Sequence, residues 1–106
     1  MENNEKIQEM QILEQNLQNL LLQKQAFDME LSETRGALKE IENTKDEVFK
    51  IIGQLMIKAD KDKVKEELAN KEKILSLRLS TIEKQEGSFT EKLTSLQEEV
   101  MKPVKK

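Results

Sequence analysis

The chain has no cysteine, histidine, tryptophan or tyrosine, and only one proline and three glycines in 106 residues. Without cysteine there is no disulfide framework and no thiolate site, which fits a reducing compartment. Without histidine as well, the commonest general base and the usual zinc ligands are missing. Gly36, Gly53 and Gly87 are scattered, so no phosphate-binding glycine loop exists. Acidic pairs abound, but a charged helix face produces them automatically, and no concave pocket is in prospect to tune them. These absences point away from an enzyme and leave no catalytic, cofactor-binding or metal-binding residue to name.

Other classes fall in the same way. No apolar run approaches the roughly 20 residues of a membrane span. The opening MENNEKIQEM is acidic and polar, unlike a secretory signal, so the cytosol is the expected compartment. Net charge is −3, with Lys and Glu interspersed, whereas a nucleic-acid surface needs a concentrated basic patch. The only basic run, Lys102, Lys105 and Lys106 interrupted by Pro103, reads as a solvated tail.

What is present is charge and period. Charged residues make up 37% and hydrophobic residues 36%, with 3% aromatic. That is too little apolar material for a wide core and suits a narrow coiled-coil seam. A disordered chain would lack a sustained apolar period. Here Met10, Leu13, Leu17, Leu20, Lys24, Phe27, Leu31, Thr34, Leu38 and Ile41 alternate spacings of three and four, an a/d heptad stripe. Lys24 and Thr34 break its apolar run, and Ile7, Ile12, Leu21 and Leu22 lie beside it. The pattern stops near Asn43-Thr44-Lys45-Asp46, residues that favour turns.

The next segment, VFKIIGQLMIKAD from Val48 to Asp60, crowds β-branched, aromatic and apolar residues around Gly53-Gln54. This predicts a β-hairpin, with Gly53 supplying a conformation that a Cβ would hinder. Alternation along one extended chain puts Phe49, Ile51, Gly53, Leu55 and Ile57 on one face. Val48, Lys50, Ile52, Gln54, Met56 and Lys58 fall on the other. A continuous helix is the alternative, made costly by the central glycine and the β-branched cluster.

A second helix is expected after Asp60, its N-cap, with Asp62 as the alternative cap. Its stripe is Val64, Leu68, Leu75, Leu79, Ile82, Glu86, Phe89, Leu93, Leu96 and Val100, and the seam should shift locally where the spacing departs between Leu68 and Leu79. Pro103 ends the pattern.

If the hairpin reverses the chain, residue i of the first helix meets a residue near 106 − i of the second. Leu38 then faces Leu68, Leu31 faces Leu75 and Leu13 faces Leu93, so apolar meets apolar. Lys24 comes within about a turn of Glu86, where the two could pair or Lys24 could snorkel into water.

The fold class predicted is mainly α: a long antiparallel two-helix coiled coil with one hairpin at its bend, each helix roughly 60 Å long at 1.5 Å per residue. The expected organisation of 1–106 is one subunit, with helices over about 5–44 and 61–101, the hairpin over 47–59 and a tail over 102–106. An isolated two-stranded ribbon is marginal in water and its edges seek other strands. Val48, Phe49, Ile51, Ile52, Gly53, Leu55, Met56 and Ile57 are therefore the candidate oligomerisation residues. Met1, Ile7, Met10, Ile12 and Leu13 would lie close to Leu93, Leu96, Val100 and Met101, with Val104 beyond. That exceeds what a two-stranded seam needs, and flexible methionines suit promiscuous apolar binding. Ile7, Met10, Ile12, Leu13, Leu93, Leu96, Val100 and Met101 are the candidate client-binding residues, chosen from this geometry.

The stretch VFKIIGQLMIKADKDKVKEEL, followed by a heptad helix containing TIEKQE, resembles β-type subunits of the prefoldin family, most closely the archaeal form. That family has an aromatic-Lys pair before a central Gly and an apolar strand ending in a basic residue. Acidic and basic residues then open the return helix. Phe49, Lys50, Gly53, Leu55, Ile57, Lys58 and Asp60 occupy those positions, with Phe49 where the family often has tyrosine.

The resemblance implies an ATP-independent chaperone without cofactors. Its two α-type and four β-type subunits would join their hairpins into a double β-barrel platform. Coiled-coil tips would hold unfolded client proteins and pass them to a group II chaperonin, with no nucleic acid and no membrane involved. The alternative is a structural or adaptor coiled coil in a complex that is not a chaperone.

Overall fold

The structure, a computed structural model, describes residues 2–102. Met1, Pro103, Val104 and the basic pair Lys105 and Lys106, named above, lie outside the described residues. The elements run α1 (Glu2–Asn43), β1 (Val48–Ile52), β2 (Leu55–Ala59) and α2 (Lys61–Met101). Two long helices thus flank one antiparallel hairpin, the fold class the sequence predicts.

Local chemistry sets the element ends. Good helix formers dominate both helices, Leu, Glu and Gln in α1 and Leu, Glu and Lys in α2, and neither contains proline. At the end of α1 the Thr44 amide donates to the Glu40 carbonyl at 2.9 Å, and the Asp46 amide donates to Thr44 Oγ1 at 3.2 Å, which turns the chain. Asp60 caps α2. Its carboxylate accepts from the Asp62 amide at 3.0 Å, while its carbonyl accepts from the Val64 amide at 3.0 Å. Lys61 Nζ donates to the Thr44 carbonyl at 2.9 Å and so ties the start of α2 to the end of α1.

The chain divides into two units: Met1–Ala26 with Leu79–Lys106, and Phe27–Arg78. In the second, Leu31, Ile41 and Leu75 are buried, and Phe27, Leu38, Val64 and Leu68 are half-buried. Thr34 is also buried. Its hydroxyl donates to the Glu30 carbonyl at 2.8 Å, so a polar group sits in the seam without an unmet hydrogen bond.

Glu72 fills the gap between Leu68 and Leu75. It is half-buried and takes an ion pair from Arg35 Nε at 3.5 Å. Spacings of four, four and three from Val64 to Leu75 mark the local shift of the seam. Arg78 stacks its guanidinium over the Phe27 ring, 5.8 Å from the centroid. Antiparallel ion pairs join the two helix segments at Glu30–Lys71 (3.3 Å) and Glu42–Lys65 (3.8 Å).

In the first unit Leu13, Leu20, Leu79 and Ile82 are buried. Met10, Leu17, Phe89, Leu93, Leu96 and Val100 are half-buried. Lys6 pairs with Glu99 at 3.2 Å, again close to the antiparallel register of 106 − i. Lys24 Nζ lies 3.7 Å from Glu86 Oε1, both side chains about two-thirds buried, so these two polar seam residues meet.

The hairpin pairs Val48 with Ala59, Phe49 with Lys58, Lys50 with Ile57, Ile51 with Met56 and Ile52 with Leu55. Gly53 has φ of +61° and no other residue type adopts a positive φ among the described residues. A two-residue loop with positive φ only at its first position is a type II′ turn.

That turn corrects the expected face assignment. Cross-strand partners share a face, and a two-residue loop pairs odd numbers with even ones. One face is therefore Val48, Lys50, Ile52, Leu55, Ile57 and Ala59, and the other is Phe49, Ile51, Met56 and Lys58. Alternation along a single extended strand does not survive the reversal.

Candidate functional site

The hairpin surface lies within the unit Phe27–Arg78. Phe49, Ile51, Ile52, Leu55, Met56 and Ile57 are 44–73% exposed, a dense apolar group on ten strand residues. Val48 is half-buried at the base. The sheet has two strands only, so each keeps one edge without a ladder partner among the described residues. Open edges and apolar faces together are the features that strand addition uses.

Each face of the hairpin carries a single charge, and each is paired within the chain. Lys50 makes an ion pair with Glu67 of α2, and Lys58 pairs with Glu47 at 3.1 Å. Where the hairpin meets the helices, Ala37, Ile41, Val48, Phe49, Val64 and Leu68 line an apolar depression with Glu40 and Thr44 beside them.

The second surface lies in the other unit, at the α1 start and the α2 end. The eight residues singled out there divide by exposure. Ile7, Ile12 and Met101 are exposed, at 40%, 61% and 82%. Met10, Leu93, Leu96 and Val100 are half-buried seam residues. Leu13 is buried, 6% exposed. A heptad stripe read without its partner does not separate knobs from flanking positions, which is why the sequence merged them. Met101 also lines a shallow depression with Thr94, Gln97, Glu98 and Lys102.

Other exposed apolar side chains are Leu21, Leu22, Met29, Ile74 and Leu77. The last three passed unnoticed in the sequence. Met29, Ile74 and Leu77 fall at outward c and f heptad positions, and that assignment was the signal available for them. No cluster of three or more acidic, His or Cys residues able to hold a metal occurs among the described residues. No described helix is long and apolar enough to cross a membrane.

The family model described as prefoldin subunit matches residues 4–106. The chain belongs to the prefoldin family. Relatives named prefoldin subunit beta include that of Thermococcus onnurineus, 39% identical over 89 residues, covering 82% of this chain and 77% of the relative. That of Thermococcus kodakarensis is 42% identical over 85 residues, covering 78% and 73%.

The crystal structure of the prefoldin beta subunit from Thermococcus strain KS-1 superposes with a TM-score of 0.87 at 33% identity, over 96% of this chain and 95% of that one. The beta2 subunit of the same strain, at 18% identity and a TM-score of 0.72, covers 90% and 99% and shares the fold. The similarity to archaeal β-type subunits thus extends over most of the chain. Prefoldin is a non-enzymatic chaperone family whose subunits form hetero-oligomers with other prefoldin subunits. The chain is therefore a chaperone subunit, and a catalytic role is set aside.

Proposed function

We propose that this chain, 1–106 as a single subunit, is one of four β-type subunits that join two α-type subunits in a cytoplasmic hetero-hexamer. Their hairpins close into a β-barrel platform through Val48, Phe49, Ile51, Ile52, Gly53, Leu55, Met56 and Ile57. The coiled-coil ends hold unfolded client proteins without ATP and deliver them to a group II chaperonin. Family membership supports the chaperone class.

The observation that carries the reading is the hairpin, which leaves six large apolar side chains exposed on a two-stranded sheet with both edges open. A single hairpin is marginally stable in water, so this surface is suited to partners. The Val48, Ile52, Leu55, Ile57 and Ala59 face is the inward one. It carries five apolar residues against three on the other face, while each face holds one lysine paired within the chain, Lys50 with Glu67 and Lys58 with Glu47.

Client contact rests on Ile7, Ile12 and Met101, which are exposed in the folded chain. Met10, Leu93, Leu96 and Val100, half-buried, add apolar surface as the helix ends fray. Leu13 is reached only when the strands of the seam part.

The test compares the complex purified with its partner subunits against one carrying a chain without residues 1–10 and 97–106. The readout is light scattering from a chemically denatured client, diluted in without nucleotide. Suppression by the full-length complex, lost on truncation at unchanged mass, is expected. No suppression by either intact oligomer would favour a structural or adaptor coiled coil.

A further inference from the structure

The hairpin inverts the usual order of burial. On β1 and β2 the large apolar residues beyond Val48 are exposed, yet Lys50, in mid-strand, is half-buried. Charged side chains are ordinarily the exposed ones. This lysine is drawn onto α2, where its ammonium pairs with Glu67. Among the described residues it is the one ion pair that joins a strand to a helix.

The hairpin joins α1 through residues 44–47 and α2 through Asp60 alone. Both joints are clasped. α1 has no basic residue in its last turn, and the cation at its carbonyl end is Lys61, the first residue of α2, whose Nζ donates to the Thr44 carbonyl at 2.9 Å. Glu47, the last residue before β1, pairs with Lys58 of β2 at 3.1 Å. These two contacts close the neck, but a ribbon held only at its neck still tilts as a unit. The Lys50–Glu67 pair lies beyond the neck. Lys50 is about 7 Å along β1 from Val48, and Glu67 is about 9 Å along α2 from Lys61. The pair closes a triangle whose other sides are the strand and the helix, and a closed triangle fixes the angle between them.

We propose that Lys50 and Glu67 are positioning residues for assembly: together they form a brace that holds the hairpin at the tilt partner hairpins accept. The inference rests on the platform reading above and names what orients the sheet for it. An exposed ion pair contributes little to stability, so the role of the brace is pre-organisation. An unbraced ribbon is competent for strand addition in only a fraction of its orientations, and the apparent affinity for partners falls with that fraction.

The test is a double-mutant cycle read on assembly. Lys50→Gln, Glu67→Gln and the two together are each titrated with the partner subunits, and the assembled mass is followed by analytical ultracentrifugation. Each single variant should raise the concentration for half-assembly about fivefold, with helicity unchanged. The double variant should match the singles, because one brace is lost only once. Losses that multiply, or a loss from only one of the singles, would overturn the brace in favour of a direct contact with a partner subunit. Normal assembly by all three, alongside loss of assembly in Ile52→Glu with Ile57→Glu, would overturn the brace and leave the platform reading standing. Normal assembly by that hairpin pair would overturn both readings. A second measure needs no partner. The chain has no cysteine, so nitroxides at Gln54→Cys and Lys73→Cys, both exposed positions, report the distance from the turn to α2 in the free full-length chain. The distance distribution should broaden in each single variant, and equal widths in all chains would overturn the brace.

Discussion

The hairpin and the helical seam draw on the same apolar residue types and leave them in opposite states. In the seam, Leu31, Leu75, Leu79 and Ile82 are buried, and every stripe position is at least half-buried. On the hairpin, Ile51, Ile52, Leu55 and Met56 are all more than half exposed. The seam has its partner within the chain, because a reversal brings a second stripe of matching period alongside the first. A lone ribbon has no such partner for either face. The difference teaches that one chain can be complete along its helices and unfinished at its sheet.

The sharpest way to break the comparison is to make the hairpin polar. Ile52→Glu with Ile57→Glu, on one face, should abolish the assembly mass while helicity stays nearly unchanged, read by light scattering after size exclusion and by far-UV circular dichroism. The same load on the other face, Ile51→Glu with Met56→Glu, should weaken assembly less. A larger effect from the second pair would reverse the inward-face assignment.

Next in size, Leu75→Ala in the seam should cost about 2–5 kcal/mol, whereas the neighbouring Ile74→Ala, at an exposed position, should stay within about 0.5 kcal/mol. Thermal melts of the two variants check this. Equal losses would mean that the outer face of α2 is covered in the assembly.

Two glycines give a smaller contrast. Gly53→Ala forces a side chain to φ of +61°, a conformation that disfavours L-residues by roughly 1–2 kcal/mol. It should lower the assembly midpoint. Gly87 is helical with open space around its Cβ position, so Gly87→Ala should stabilise by up to about 1 kcal/mol. The smallest effect is the seam ion pair. A double-mutant cycle of Lys24→Ala and Glu86→Ala should return a coupling of about 0.2–1 kcal/mol. Zero coupling would mean that Lys24 acts only through its aliphatic stem.

Much of the fold was legible because its signals are local. The a/d stripes from Met10 to Ile41 and from Val64 to Val100 follow from spacing alone, and each of those positions is at least half-buried. The turn was legible in Gly53, the one residue with positive φ among those described. The departure between Leu68 and Leu75 was visible as a gap, but Glu72 filling it was not, since a charged residue enters a seam only with a partner such as Arg35 nearby. The end surface was legible as an excess of apolar residues and not as a division into exposed Ile12 and buried Leu13.

Period, composition and turn chemistry, all properties of neighbouring residues, determined two helices, one hairpin and their antiparallel register. Tertiary structure alone decided which faces are shared and which are left open. The pairing of Ile52 with Leu55 across a two-residue loop assigns the hairpin faces. The packing of α1 on α2 within the first unit separates exposed Ile12 from buried Leu13. Both outcomes depend on where a second segment lies, and side-chain burial belongs to the pair of segments rather than to either one.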